Sequence, residues 1–128
     1  MVVLEKLLEG VNCLNRREYD HAVACFEMVL DSDPANSDAL MYIAKAFALQ
    51  GMWAEAERYC HQLVDYYPAD AKAYSNWGMA LRKLHRFDQA RSAQERALAL
   101  SPDLERAGLE LRKIDRDSKR VRRAGTML

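Results

Sequence analysis

The chain contains little glycine and little proline, with 5 glycines and 3 prolines among 128 residues. Hydrophobic residues make up 50% and charged residues 30%, which is typical of one folded helical domain and not of a disordered segment. Long apolar runs are also missing, so we expect no membrane insertion. The first 14 residues lack the basic start and the small-residue cleavage site of a signal peptide.

Cysteine is scarce, and its pattern excludes a disulfide framework. The three cysteines are odd in number and none belongs to a CxxC pair, which indicates a reducing compartment and a cytoplasmic location. His21 and Cys25 lie four residues apart and Cys60 precedes His61, but a zinc site needs four converging ligands. Cys13 and Cys60 are interpreted as core thiols. We therefore expect no metal site and no cofactor.

Signatures of catalysis are absent as well. The sequence has no glycine-rich phosphate loop, no serine elbow and no HExxH motif, so we expect a protein that is not an enzyme and has no catalytic residues. Near the C-terminus the chain carries a cluster of basic residues: Arg112, Lys113, Arg116, Lys119, Arg120, Arg122 and Arg123. Acidic residues interrupt this cluster and no aromatic residue is interleaved with it, so nucleic acid is not an expected partner.

A fixed interval of 34 residues is present instead. The prolines follow this interval, and so do two sets of small residues: Pro34, Pro68 and Pro102; Ala22, Ala56 and Ala90; Gly10, Ala44 and Gly78. Such a period is typical of stacked repeats, in which each unit buries its apolar face against its neighbours. The small residues are expected where the two helices of each unit approach closely.

The prolines divide the chain into three units, 3–36, 37–70 and 71–104, each expected to form two amphipathic helices. In the second unit the helices are predicted at 37–50 and 53–66, with Gly51 in the turn, and in the third at 70–84 and 87–100. Residues 103–121 are predicted to form a capping helix with a polar outer face. These segments make a single domain, 1–121, followed by a frayed basic tail, 122–128.

This pattern resembles the tetratricopeptide repeat. The third unit follows the family's pattern most closely, through Tyr74, Trp77, Gly78, Leu81, Ala90, Ala97 and Pro102. The resemblance covers residues 3–104 and implies an all-α fold. That fold would be a right-handed superhelix, or solenoid, of three helix-turn-helix hairpins plus the capping helix.

The resemblance also implies a concave groove lined by the first helix of each unit, which would bind a protein or peptide ligand. The partner-binding residues at these positions would be Leu4, Leu7, Leu8, Val11, Leu14, Met41, Tyr42, Lys45, Lys72, Asn76, Met79, Arg82 and Lys83. Chaperone-binding members hold acidic tails with a clamp of Lys, Asn and Arg residues. Only Lys72 matches that clamp, because its other four positions hold Leu7, Val11, Tyr42 and Asn76. Binding of acidic chaperone tails by this mechanism is therefore not expected.

The first helix carries an apolar stripe from Val3 to Leu14 at helical spacing. Three interpretations of the stripe remain open: burial within its own unit, a partner groove, or a homodimer contact. Charge is uneven as well, since residues 1–64 carry five basic and ten acidic residues and residues 65–128 carry fourteen and nine. The leading hypothesis is a non-enzymatic adaptor or chaperone-like module that binds a peptide or protein segment. The alternative is a self-assembling scaffold that associates through the first helix and its complementary charged ends.

Overall fold

The computed structural model describes residues 2–126, and its regular structure in that range consists of α-helices joined by short turns. The helices are α1 Val2–Asn15, α2 Tyr19–Ser32, α3 Ser37–Leu49, α4 Trp53–Tyr66, α5 Ala71–Lys83, α6 Phe87–Leu100 and α7 Glu105–Thr126. The predicted bounds of α4 and α6 are confirmed, whereas α3 ends one residue earlier than predicted and α5 is one residue shorter at each end. No strand occurs in residues 2–126.

Local chemistry explains where several helices begin. The side chain of Asn36 accepts a hydrogen bond from the Ala39 backbone N–H at 2.9 Å, and that of Asp70 accepts one from the Ala73 N–H at 3.2 Å. Both are N-caps, which satisfy backbone donors that the first helical turn leaves without partners. These caps fix the starts of α3 and α5, the first helices of their hairpins.

The turn inside each hairpin requires a left-handed backbone. Gly51 has a φ of 74°, as the sequence predicted, and Arg17 and His85 have φ values of 63° and 61°. These three positions are 34 residues apart, so the repeat includes the turn geometry even where the residue is not glycine. A side chain in this conformation costs about 1–2 kcal/mol, which the packing of the two hairpins must offset.

The chain divides into two compact units, Met1–Pro68 and Ala69–Leu128. In the first unit α1 packs on α2, α3 packs on α4, and α2 also contacts α3. Phe26 is fully buried at its centre, where its ring faces Gly10 of α1 and stacks on Tyr42 of α3 with 5.8 Å between ring centroids. One side chain of α2 thus holds three helices together.

In the second unit α5 and α6 form a hairpin, and α7 packs against both. Ile114 of α7 is fully buried beside Leu81, Ala90 and Ala93, so α7 acts as the capping helix of this unit. The helix differs from the prediction at its end, because it continues to Thr126 instead of fraying after 121. Residues 122–125 are Arg, Arg, Ala and Gly, of which the first three favour helix. Residues 127–128 lie outside the described part of the chain.

Gly78 and Gly108 form a matched pair for testing the close helix contact. A Cβ atom at Gly78 would lie 2.5 Å from Gln94 Nε2 and 3.2 Å from the Ala90 carbonyl oxygen. Gln94 is fully buried, and its Nε2 donates to the Ser75 carbonyl oxygen at 2.8 Å, so it cannot swing away freely. Gly78→Ala is therefore expected to lower the free energy of unfolding by about 1–3 kcal/mol.

Gly108 lies within α7 with no atom in the way of an added Cβ. Gly108→Ala should raise the free energy of unfolding by up to about 1 kcal/mol, because alanine favours helix over glycine. Urea denaturation followed by circular dichroism measures both changes. Equal stabilities for the two variants would show that the α5–α6 contact does not require glycine.

Candidate functional site

Besides Val2 at the start of α1, four large apolar side chains of α1 and α3 in the first unit are exposed to solvent. The exposed fractions are 60% for Leu4 and 56% for Leu8 on α1, and 39% for Met41 and 54% for Leu49 on α3. Residues four apart share one face of a helix, so Leu4 and Leu8 lie together, and Met41, Lys45 and Leu49 follow one another along α3. The two helices also contact each other. We call Leu4, Leu8, Met41 and Leu49 the apolar surface.

The remaining predicted partner-binding residues of the first unit, apart from Lys45, are less exposed to solvent than the apolar surface. Leu7 and Val11 are half-buried, and the Tyr42 ring is stacked on Phe26. Leu14 is only 6% exposed, so its placement on a ligand-facing surface is corrected. It belongs to the core because it lies on a part of α1 that its neighbouring helices cover.

In the second unit the predicted residues also separate by exposure. Lys72 and Lys83 are exposed on α5, and Asn76 and Met79 are half-buried. Arg82 is 7% exposed. Lys72, Asn76 and Met79 therefore keep some surface that a ligand can reach, whereas Arg82 does not.

Arg82 is held by two carboxylates of the capping helix. Its Nε lies 3.0 Å from Glu110 Oε2 and its Nη1 lies 2.8 Å from Asp117 Oδ2. Burial lowers the pKa of Arg82, but the hydrogen bonds to Asp117 and Glu110 outweigh burial and raise it overall. The pKa of Asp117 is lowered, because hydrogen bonds from Arg82 and Arg116 outweigh its own desolvation.

The expectation that Arg82 contacts a ligand is therefore corrected. Its guanidinium is committed to α7, since a buried cation requires nearby anions. A sequence signal for this contact was available. Glu110, Ile114 and Asp117 are spaced by four and three residues, so two carboxylates lie on the same face of α7 as its most buried apolar residue.

Hydropathy gives no indication of a bilayer-spanning segment in the structure. None of the helices in residues 2–126 combines the length and the apolar composition needed to cross a membrane.

Comparison with known proteins relates the chain to one repeat family. Models of the tetratricopeptide repeat match residues 7–71 and 71–104. Human RNA polymerase II-associated protein 3 is 33% identical over 114 residues, which is 89% of this chain and 17% of that protein. The mouse protein of the same name is 32% identical over 115 residues, covering 90% and 17%. The chain thus spans about 17% of the length of these curated relatives.

Solved structures give the same relationship. The first TPR of Spaghetti (RPAP3), bound to the HSP90 peptide SRMEEVD, has a TM-score of 0.83 and 32% identity, covering 89% of this chain and 90% of that one. The second TPR domain of human RPAP3, in complex with the HSP70 peptide SGPTIEEVD, has a TM-score of 0.84 and 26% identity, covering 90% and 96%. Both neighbours are single peptide-binding domains of about the same extent as this chain.

The buried ion pairs of Arg82 should contribute more to the free energy of unfolding than the exposed ion pair between Arg91 and Asp115. Glu110→Ala is expected to lower the free energy of unfolding by about 3 kcal/mol, because it leaves part of a buried guanidinium without its partner. The matched control is Asp115→Ala, which removes the exposed Arg91–Asp115 pair of the same helix and should cost less than about 1 kcal/mol. Urea denaturation measures both. Equal losses would show that the buried cluster does not secure the capping helix.

Proposed function

The chain belongs to the tetratricopeptide repeat family, and on that premise we propose that it captures a peptide or protein segment on the first helices of its hairpins. Membership of the family confirms the all-α superhelical fold class predicted from the 34-residue interval. It also confirms a non-enzymatic protein-interaction module, since the similar RPAP3 domains are bound to peptides. The position and the chemistry of the ligand site are our proposal.

The apolar surface is the observation that supports this site. Fully burying a leucine or methionine side chain contributes about 1.5–3 kcal/mol. The four side chains are about half exposed, so a ligand that covers them gains on the order of 3–6 kcal/mol. Micromolar affinity requires about 8 kcal/mol, so polar contacts must supply the remainder. Lys45, exposed between Met41 and Leu49, is positioned to hold a ligand carboxylate or carbonyl oxygen.

The ligand we propose differs from the acidic peptides of the RPAP3 structures. Both of those peptides end in EEVD, whereas Leu7, Val11 and Tyr42 stand here at positions where a carboxylate clamp has Lys and Asn. Apolar side chains cannot replace the hydrogen bonds that an acidic terminus loses on leaving water. We therefore propose that the ligand segment presents large apolar residues to α1 and α3.

Selection of binding peptides from a displayed library tests this proposal. Peptides selected by the protein should be rich in large apolar residues, and a double variant Leu8→Glu, Leu49→Glu should weaken their binding about tenfold or more. The matched control is Met28→Glu, which adds a charge at a residue that is 51% exposed on α2 and outside the apolar surface. Fluorescence polarisation with a labelled peptide measures the affinities.

Two outcomes would contradict the proposed site. Equal binding of the selected peptides by the double variant and the Met28→Glu control would place the ligand elsewhere. Tighter binding of SRMEEVD than of the selected peptides would show that the chain binds an acidic terminus despite its apolar side chains. Circular dichroism of each variant establishes that it is folded.

The alternative function is a self-assembling scaffold, and the exposed stripe of α1 favours it. Val2 is 68% exposed at the start of α1, and Leu4 and Leu8 are exposed further along it, so α1 offers apolar area to a second copy of the chain. The excess of acidic residues in 1–64 and of basic residues in 65–128 would align copies end to end. This function competes with the first one because both use Leu4 and Leu8.

Light scattering across a concentration series, at low and high salt, distinguishes the two functions. A peptide-binding module should remain a monomer, and its mass should not change with salt. A scaffold should gain mass with concentration and dissociate in high salt, because salt screens attraction between exposed charges. Leu8→Glu should then prevent assembly, and a salt-sensitive assembly that the variant leaves intact would contradict a contact through α1.

A further inference from the structure

The first hairpin carries two pairs of metal-ligand side chains, one on each helix. Glu9 and Cys13 are four residues apart on α1, and His21 and Cys25 are four residues apart on α2. Because residues four apart lie on one helix face and α1 packs on α2, the two pairs can face each other across the hairpin. From the sequence we considered His21 with Cys25 and Cys60 with His61, interpreted Cys13 as a core thiol, and expected no metal site.

The structure brings these groups within a few ångströms of one another. The ligand atoms of Glu9, His21 and Cys25 all lie within 4.8 Å of each other, and so do those of Cys13, Glu18 and His21. His21 belongs to both groups, with its Nε2 3.3 Å from Glu9 Oε1 and its Nδ1 3.9 Å from Glu18 Oε2. The imidazole therefore connects the two groups into one cluster.

Burial and access at this cluster suit a bound ion. Cys13 and Cys25 are 4% and 2% exposed, whereas the His21 side chain is 56% exposed. A cleft of about 440 Å³ opens beside them, and Glu9, Cys13, Glu18 and His21 are among its lining residues. An ion entering from solvent would meet the carboxylates and the imidazole first and the thiols at the base of the site.

The charges around the cluster are mixed. Burial is the main cause that raises the pKa of both thiols, and the Glu18 carboxylate beside Cys13 and the Glu9 carboxylate beside Cys25 raise it further. Lys6 lies 2.9 Å from the second carboxylate oxygen of Glu9, and Arg16 lines the cleft. In the metal-free protein the thiols therefore keep their protons, and a cation would release them.

We propose that the first hairpin binds one Zn²⁺ through the sulfur atoms of Cys13 and Cys25, Nε2 of His21 and a carboxylate oxygen of Glu9. Zinc prefers four ligands of these types in tetrahedral geometry, at about 2.0–2.3 Å from the metal. Ligands at those lengths lie roughly 3.3–3.8 Å apart. Glu9, His21 and Cys25 already lie within 4.8 Å of one another, whereas Cys13 shares a group with His21 only and must move toward the other two ligands as the ion binds. Glu18 stays outside this set, with its Oε2 3.9 Å from Nδ1, and a shift that brought it within hydrogen-bond distance would fix the orientation of the imidazole.

When Zn²⁺ binds, it replaces the protons of the two thiols. Each thiol loses one proton to solvent as its sulfur bonds to Zn²⁺, and nothing is oxidised or reduced. Four protein ligands leave no open position, which is typical of a structural zinc and not of a catalytic one. The ion would tie α1 to α2, and binding would stabilise the first hairpin against unfolding.

Titration of the fully reduced chain with Co²⁺ tests the proposal. We expect thiolate-to-metal charge-transfer absorption and intense visible bands of tetrahedral Co²⁺, saturating at one ion per chain, with Zn²⁺ displacing the cobalt. Zn²⁺ should also raise the midpoint of thermal unfolding. Weak absorption typical of octahedral cobalt, without charge transfer, would overturn the proposal.

The chain offers matched controls for the ligands. His21→Ala should weaken Zn²⁺ binding about 100-fold or more, since loss of an outer-shell partner alone costs 10–100-fold. His61→Ala removes a histidine that pairs with Asp65 at 3.7 Å and should leave the affinity unchanged. Cys13→Ser should reduce the charge-transfer absorption by about half or more, because it removes one of the two thiolate ligands, and Cys60→Ser, at a buried cysteine of α4, should leave it unchanged.

His21 is an exposed residue, so its variant should remain folded even where Cys13→Ser does not. Equal affinities for His21→Ala and His61→Ala would overturn the proposed ligand set. Competition with a chromophoric chelator measures these affinities.

Discussion

The close approach of two antiparallel helices is the constraint on which the other contacts depend. An added Cβ would lie 2.6 Å from Phe26 Cε1 at Gly10 and 2.5 Å from Gln94 Nε2 at Gly78. Because α1 gives way at Gly10, the Phe26 ring fits against it and reaches Tyr42 of α3. Because Gly10 has no side chain, the Phe26 ring of α2 contacts both α1 and α3. A small residue recurs at the matching position of each unit, as Ala44 and Gly78.

The same constraint decides which helix faces remain for other contacts. Two residues turn a helix by about 200°, so Leu8 lies on the side of α1 away from Gly10 and the hairpin contact. In the second unit α7 packs against α5 and covers part of its surface. Ile114 of α7 lies in the core, and Glu110 and Asp117 surround Arg82 of α5. The two units therefore use the face of their first helix differently, one for exposed apolar side chains and the other for an internal ion cluster.

On α1 two kinds of chemistry lie side by side. Glu9 and Cys13 face α2, where His21 contributes an imidazole, whereas Leu4 is turned to solvent. Leu8 borders the cleft at the ligand cluster and also belongs to the apolar surface. A metal that fixed α1 on α2 would therefore hold one edge of the apolar surface in place, because both sites share the same helix.

The sequence by itself determined the repeat, the family and most helix bounds to within a residue or two, because the capping, turn and spacing signals for these are written along the chain. Asn36 and Asp70 cap helices locally, Gly51 turns the chain, and the small residues recur in register. The tertiary structure decided the rest. Arg82 lies 28 residues from Glu110, and the Glu9–His21 contact joins two helices. Spacing along one helix shows which residues share a face, but which helix faces meet is set by the packing of the helices.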